Sequence, residues 1–196
     1  MTIKDQERLF ANEVVVQNEA DSFIEATKIL DILRPFGELI IEGSYIYRTM
    51  VNRDIDIRVV LPANKAPNEV RNELMGVVLT MDNLKKLRMV DVDEHDAIIK
   101  ARDPGIWIGA QIVFNTNLWN IDIWLYDAKH GHDHLDIYER MQTIDESERA
   151  TILAIKEYCA KHQLSKKGTT SVDIYQAVLG ESIQTPEDYI ASRNLR

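Results

Sequence analysis

Three acidic residues and one small turn hold the chemistry that can be read from this sequence. Asp54 and Asp56 stand two apart in Asp54-Ile55-Asp56-Ile57-Arg58-Val59, where polar and apolar residues alternate strictly. Such alternation predicts a half-buried strand, and on a strand residues two apart project from one face. Carboxylates held side by side repel each other unless something positive lies between them. A hard divalent cation such as Mg2+ takes oxygen ligands of this kind. Asp122, between Ile121 and Ile123, has the same apolar flanks on a later strand. Upstream, Leu39-Ile40-Ile41 reads as an apolar strand closed by Gly43-Ser44, and Tyr45 to Met50 has no helix breaker. The order strand, Gly-Ser turn, short helix offers bare backbone N–H groups to a phosphate; Gly lets the backbone approach and Ser adds a donor. Taken singly, the acids also read as a solvent-facing polar row and the turn as a capped helix start.

In combination these residues point further. Ile41-Glu42-Gly43-Ser44, a gap of nine residues, Asp54-Ile55-Asp56-Ile57, and a distant Ile121-Asp122-Ile123 resemble the nucleotidyltransferase superfamily that shares its minimal fold with DNA polymerase β. Its pattern is hydrophobic-Gly-[Gly/Ser], a gap of about nine to thirteen residues, Asp-hydrophobic-[Asp/Glu]-hydrophobic, then a third acid between apolar residues. Arg53 departs from the pattern, standing where many members have Ser or Thr. The resemblance covers Leu39 to Tyr126. It implies that Gly43 and Ser44 hold a nucleoside triphosphate, that Asp54 and Asp56 bind Mg2+, and that Asp122 completes a catalytic and metal-binding triad by assisting the metal or activating the acceptor.

Arg48, one turn past Ser44, and Arg58, on the face of Asp54 and Asp56, are candidate nucleotide-binding cations. A salt bridge that balances the acids is the other reading of Arg58. Trp124 and Tyr126 share the side of Asp122, where they stack on a substrate or pack in the core. Asp127 points away from Asp122 by alternation. His130-Gly131-His132-Asp133-His134 fits no zinc spacing and reads as a polar loop, and Cys159 as a buried thiol.

The elements that must position these groups follow from periodicity. Glu19 to Leu33 has apolar residues at helical spacing and stops at Pro35-Phe36-Gly37. Asn68 to Asp82 predicts an amphipathic helix, Leu87 to Val92 a strand, and Ile106 to Phe114 with Leu118 to Tyr126 a hairpin across Asn115-Thr116-Asn117. Asp93 to Arg102 has no decisive pattern. Helices follow over Leu135 to Met141, Glu146 to His162 and Val172 to Leu179, and a last one opens at Thr185-Pro186-Glu187-Asp188. Strands in the middle and helices at the end predict an α+β core followed by a C-terminal helical lobe, and the resemblance to nucleotidyltransferases implies that the core is a mixed sheet flanked by helices. The expected division is a nucleotidyltransferase domain over 1–130 and a helical extension over 131–196.

Composition narrows the function. The 196 residues carry 23 Lys and Arg against 32 Asp and Glu, a formal charge of -9, and one cysteine. That balance repels polyanions at long range, and clusters such as Lys85-Lys86 with Arg88 are too sparse for a broad nucleic-acid surface. Nucleic acid is therefore a disfavoured partner and a small, cationic acceptor a favoured one. No apolar run reaches the ~18 residues a membrane helix needs. Met1 to Arg8 lacks the order of a signal peptide, so a cytoplasmic location is expected. The resulting expectation is an Mg2+-dependent nucleotidyltransferase moving AMP from ATP to a hydroxyl of a small, antibiotic-like molecule. A silent nucleotide-binding or protein-interaction module of the same fold is the alternative, and a metal-dependent phosphohydrolase a third reading.

Overall fold

A computed structural model describes residues 2–93, 103–132, 136–164 and 168–195. The fold is α+β, built on one five-stranded mixed sheet in the order β1-β2-β5-β4-β3. The strands are β1 (Glu38–Glu42), β2 (Asp54–Val60), β3 (Leu84–Val92), β4 (Gly105–Phe114) and β5 (Asn117–Tyr126). All neighbours are antiparallel except β2 and β5, which run parallel with Asp54 opposite Asn120, Asp56 opposite Asp122 and Arg58 opposite Trp124. The predicted hairpin is present as β4 and β5, turning at Asn115 and Thr116, both with positive φ.

Contacts group the chain into two compact units, each discontinuous in sequence. The first comprises Ala20–Gly43 and Arg53–Asp133 and contains the sheet. Its core is the odd-numbered face of β2, Ile55, Ile57 and Val59, with the even-numbered face of β4 and with Trp119, Ile121, Ile123 and Leu125 of β5. Helix α4 (Pro67–Leu79) covers this face with Val70, Leu74 and Val78. Phe23 stacks on Trp119 at 4.7 Å and meets Phe114 edge-on at 5.7 Å.

The second unit comprises Met1–Glu19, Ser44–Asn52 and His134–Arg196. Its helices are α5 (Asp136–Met141), α6 (Glu146–Lys161), α7 (Ser171–Gly180) and α8 (Pro186–Ser192), packed around Ile152, Ile155, Ile174, Tyr175 and Tyr189. Asp145, Thr170 and Thr185 cap α6, α7 and α8 by accepting backbone N–H bonds from the third residue onward. A single cut between residues 130 and 131 does not separate these units. Arg149 of α6 reaches Glu13 at 3.1 Å and the Arg48 carbonyl at 2.9 Å, and Thr49 meets the Tyr175 hydroxyl at 3.2 Å. These bonds bind the N-terminal residues and segment 44–52 to the C-terminal helices.

Element bounds differ as well: the helix expected over Asn68 to Asp82 runs over Pro67–Leu79, and the short helix expected within Tyr45 to Met50 runs over Gly43–Ile46. The first helix, α1, runs over Ile3–Thr27, and Lys28 takes a left-handed conformation before α2 (Ile29–Leu33), where periodicity predicts one helix over 19–33. Strand β3 begins at Leu84, three residues earlier than predicted. The unresolved pattern at Asp93 to Arg102 falls mostly on residues 94–102, and the start of the helix predicted from Leu135 falls on 133–135; both stretches lie outside the described residues. Among the described residues no helix is long and apolar enough to cross a membrane.

Candidate active site

The register of β2 against β5 decides where the acids meet. Strand β2 buries Ile55, Ile57 and Val59 on one face and β5 buries Ile121, Ile123 and Leu125, so their alternate residues share the other: Asp54 and Asp56 from β2 and Asp122 from β5. Each offers one carboxylate oxygen, and these atoms lie within 4.8 Å of one another. All three residues are half-buried. Hard oxygen donors converging at this spacing suit a divalent cation with oxygen preference, Mg2+ among them. Burial pushes the Asp122 carboxyl upward, and a hydrogen bond from the Trp107 side chain offsets part of that rise.

Gly43 begins α3 (Gly43–Ile46) with φ of 70°, in the left-handed region. A Cβ on this residue would collide with Asp56 Oδ2 and stand 3.1 Å from Asp56 Cγ. Glycine therefore meets two needs there, the backbone conformation and the approach of main chain to carboxylate. Ser44, the next residue, accepts a hydrogen bond from Lys156 Nζ at 2.5 Å. Lys156 is 6% exposed, lies 5.5 Å from the Tyr175 ring centroid and reaches the Tyr175 hydroxyl at 3.5 Å.

Sequence reasoning missed Lys156. Its signal is positional: Ile152, Lys156 and Cys159 follow a helical repeat and are all buried, so a lysine occupies an apolar-face position of α6. Trp107 was missed as well. As a β4 residue on the same side of the sheet as Asp122, it could have been found only from the β4–β5 register.

The two arginines differ. Arg58 is 6% exposed; its guanidinium pairs with Glu42 at 2.9 Å, donates to the Gly131 carbonyl at 3.1 Å and lies 4.9 Å from the Tyr126 ring centroid. That is a salt-bridge arrangement, with Glu42 as an ionic partner. Arg48 is exposed, takes positive φ just past α3 and belongs to the helical unit. Trp124 and Tyr126 stack on each other at 5.7 Å, Trp124 half-buried and Tyr126 buried. Asp127 accepts from the Lys129 and His130 backbone N–H groups and pairs with the His130 ring at 2.9 Å, closing a local turn. Of the histidine-rich stretch, Asp133 and His134 lie outside the described residues. Cys159 is buried, and burial raises its thiol pKa.

No family model matches this chain, and no curated protein matches it in sequence. Solved structures do match. The chain is similar to the poly(A) polymerase of the GLD-2–GLD-3 complex, with a TM-score of 0.57 and 11% identity over 91% of this chain and 58% of that one. It is similar to a cytoplasmic RNA terminal U-transferase at TM-score 0.54 and 16% identity, over 88% of this chain and 53% of the other. The Cid1 poly(U) polymerase, bound to Mg and 3'-dATP, matches at 0.54 and 17%, with the same coverage of 88% and 53%. The chain thus spans little more than half the length of these polymerases. At such identities the likeness shows the fold alone, an α+β arrangement around a mixed sheet that these structures share with this chain.

Proposed function

We propose that this chain is a divalent-metal-dependent nucleotidyltransferase that moves a nucleoside monophosphate to a hydroxyl acceptor. The observation that carries this reading is the convergence of Asp54, Asp56 and Asp122 within 4.8 Å on a sheet of nucleotidyltransferase topology. Asp54, Asp56 and Asp122 would hold the cation, with Mg2+ the proposed ion. When bound, it supplies neutralisation of triphosphate charge and Lewis acidity toward the phosphoryl oxygens. Gly43 and Ser44 receive the triphosphate through backbone N–H groups and the Ser44 hydroxyl. Asp122 accepts the proton of the acceptor hydroxyl. The acceptor oxygen then forms a bond to the α-phosphorus as the bond to the β-phosphate oxygen breaks and pyrophosphate leaves. Arg48 is retained as a candidate phosphate contact, whereas Arg58 acts from the Glu42 pair, holding β1 against β2 beside the acids.

For the nucleotide, AMP from ATP is the proposal. For the acceptor, the formal charge of -9 favours a small cationic molecule. A second reading, the end of an RNA strand, is favoured by the three solved neighbours, which are named as a poly(A) polymerase, an RNA terminal U-transferase and a poly(U) polymerase. The test is incubation with α-labelled ATP, GTP, CTP or UTP, Mg2+, and acceptors that include aminoglycoside-like polyamines and short RNAs. An Asp54→Ala/Asp56→Ala variant serves as control. Label transfer with pyrophosphate release, lost in the control, establishes the reaction, and the labelled acceptor selects between the two readings. Nucleotide hydrolysis without an acceptor supports a phosphohydrolase, and absence of metal-dependent nucleotide binding supports a silent module.

A further inference from the structure

Asp122 does not stand alone on β5. Its direct partner on β4 is Gly109, and Trp107, two residues earlier on β4, shares the face of Gly109. The Trp107 ring lies over Gly109: a Cβ built there would run into the six-membered part of the indole and stand 3.2 Å from the ring-fusion carbon bonded to Nε1. Folded across that bare position, the Trp107 side chain reaches Asp122 and hydrogen-bonds to it. An indole has a single polar hydrogen and no acceptor, so Trp107 is the donor and one carboxylate oxygen of Asp122 accepts.

We propose that Trp107 is a positioning residue for the metal site, with Gly109 as the space that admits it. The indole N–H occupies one oxygen of Asp122 and fixes the carboxylate plane, so that the other oxygen is presented toward Asp54 and Asp56. Two features support a role beyond packing. Trp107 stays half-buried rather than entering the core, whereas its neighbours Ile106 and Ile108, which face the other way, are 1% and 0% exposed. And the directly opposite cross-strand position carries no side chain, which is the requirement for the indole to lie flat enough to reach the acid. Outer partners that orient a ligating carboxylate change metal affinity by about 10–100-fold when removed. The proposal rests on the reading of Asp122 as a metal ligand.

The experiment titrates the intact chain with Mn2+ alone, following free ion by electron paramagnetic resonance, and records a melting curve without metal for each variant. Trp107→Phe keeps a ring over Gly109 but removes the donor; Gly109→Ala keeps the donor but displaces the ring. Both are expected to weaken Mn2+ binding about 10–100-fold, with Trp107→Phe melting close to the wild type in the absence of metal. A structural role alone would lower the metal-free melting temperature and leave affinity unchanged. Asp122→Asn separates the two levels. If it abolishes Mn2+ binding while Trp107→Phe and Gly109→Ala bind as the wild type does, the positioning role is overturned and the metal site stands. If Asp122→Asn also binds as the wild type does, the reading of Asp122 as a ligand falls and this inference with it.

Discussion

Gly43→Ala tests the turn and the metal site together, because the same added methyl group meets two separate obstacles. The first is conformational. At φ of 70° an alanine pays the left-handed penalty that glycine escapes, about 1–2 kcal/mol. An unfolding entropy of about 2.1 cal/mol/K per residue, over 196 residues, comes to about 0.4 kcal/mol/K, so this penalty lowers the melting temperature by about 2–5 °C. The second obstacle is Asp56, whose Oδ2 lies in the space the methyl group would take. Its carboxylate must rotate away, and with it goes one of the three oxygens that converge within 4.8 Å. At metal concentrations a hundred times the wild-type dissociation constant, the ion adds about 2.7 kcal/mol to stability; a 100-fold weaker site leaves about 0.4 kcal/mol under the same conditions. Melting curves with and without Mg2+ or Mn2+ therefore show a smaller metal-induced rise in Gly43→Ala by about 5 °C. Gly76→Ala is the internal control. Gly76 is exposed on α4 with nothing within 4 Å of an added Cβ, so it gains about 0.5–1 kcal/mol and keeps the full metal response. A Gly43→Ala protein with the wild-type melting temperature and an undiminished metal response would refute the argument.

Lys156→Met keeps the length of a buried side chain but removes the donor to Ser44. Loss of that charge-assisted bond should lower stability by about 1.5–3 kcal/mol, read as a lower urea midpoint. Phe23→Ala deletes a ring that is fully buried against Trp119 and Phe114. A loss of about 3–5 kcal/mol, read as a lower urea midpoint, is expected. Arg8 and Glu157 form a two-pronged pair at 2.7 Å, with Arg8 holding the Glu157 carboxyl below its ordinary value of 4.5. Because the folded-state value is the lower one, the pair contributes above the unfolded carboxylate range, and the contribution is lost as pH falls through the folded value. Both side chains are about half exposed. The stability difference between Arg8→Ala and wild type should thus be about 0.2–1 kcal/mol at pH 7 and vanish near pH 2–3 in denaturant titrations.

What the sequence made legible was whatever is encoded by period and by local chemistry. The alternation at Asp54 to Val59, the hairpin at Asn115-Thr116, and the cap at Thr185 all appear in the structure because two-residue and capping patterns need no distant partner. The N-terminal half of α1 was hidden by the opposite circumstance. Its buried stripe is Leu9, Glu13, Gln17 and Ala20, spaced as a helix requires, but two of the four are polar. Glu13 is 1% exposed because Arg149, from 136 positions further along, pairs with it. No window of sequence reveals that pairing. Even so, burial outweighs the pair, and the Glu13 carboxyl is held above its ordinary value. The same holds for Lys156 and Trp107: each is a side chain whose role is set by a partner far away in sequence or across a strand register, and composition is silent about registers.

The site depends on one register in particular, the parallel match of β2 with β5. These strands are separated in sequence by α4, β3 and β4, so no turn geometry fixes their alignment. What fixes it is the opposite face. Ile55, Ile57 and Val59 of β2 and Ile121, Ile123 and Leu125 of β5 are all 0% exposed. Turning either strand over by one position would bring its three apolar side chains into solvent at about 1.5–3 kcal/mol each and drive acids into the core at further cost. That total, about 5 kcal/mol or more before the acids are counted, is comparable with the whole stability of an ordinary domain. The apolar residues between the acids therefore do more than flank them. By making any other alignment too costly, they bring Asp122 opposite Asp56, and the spacing that suits a metal ion follows from the packing of residues that never touch it.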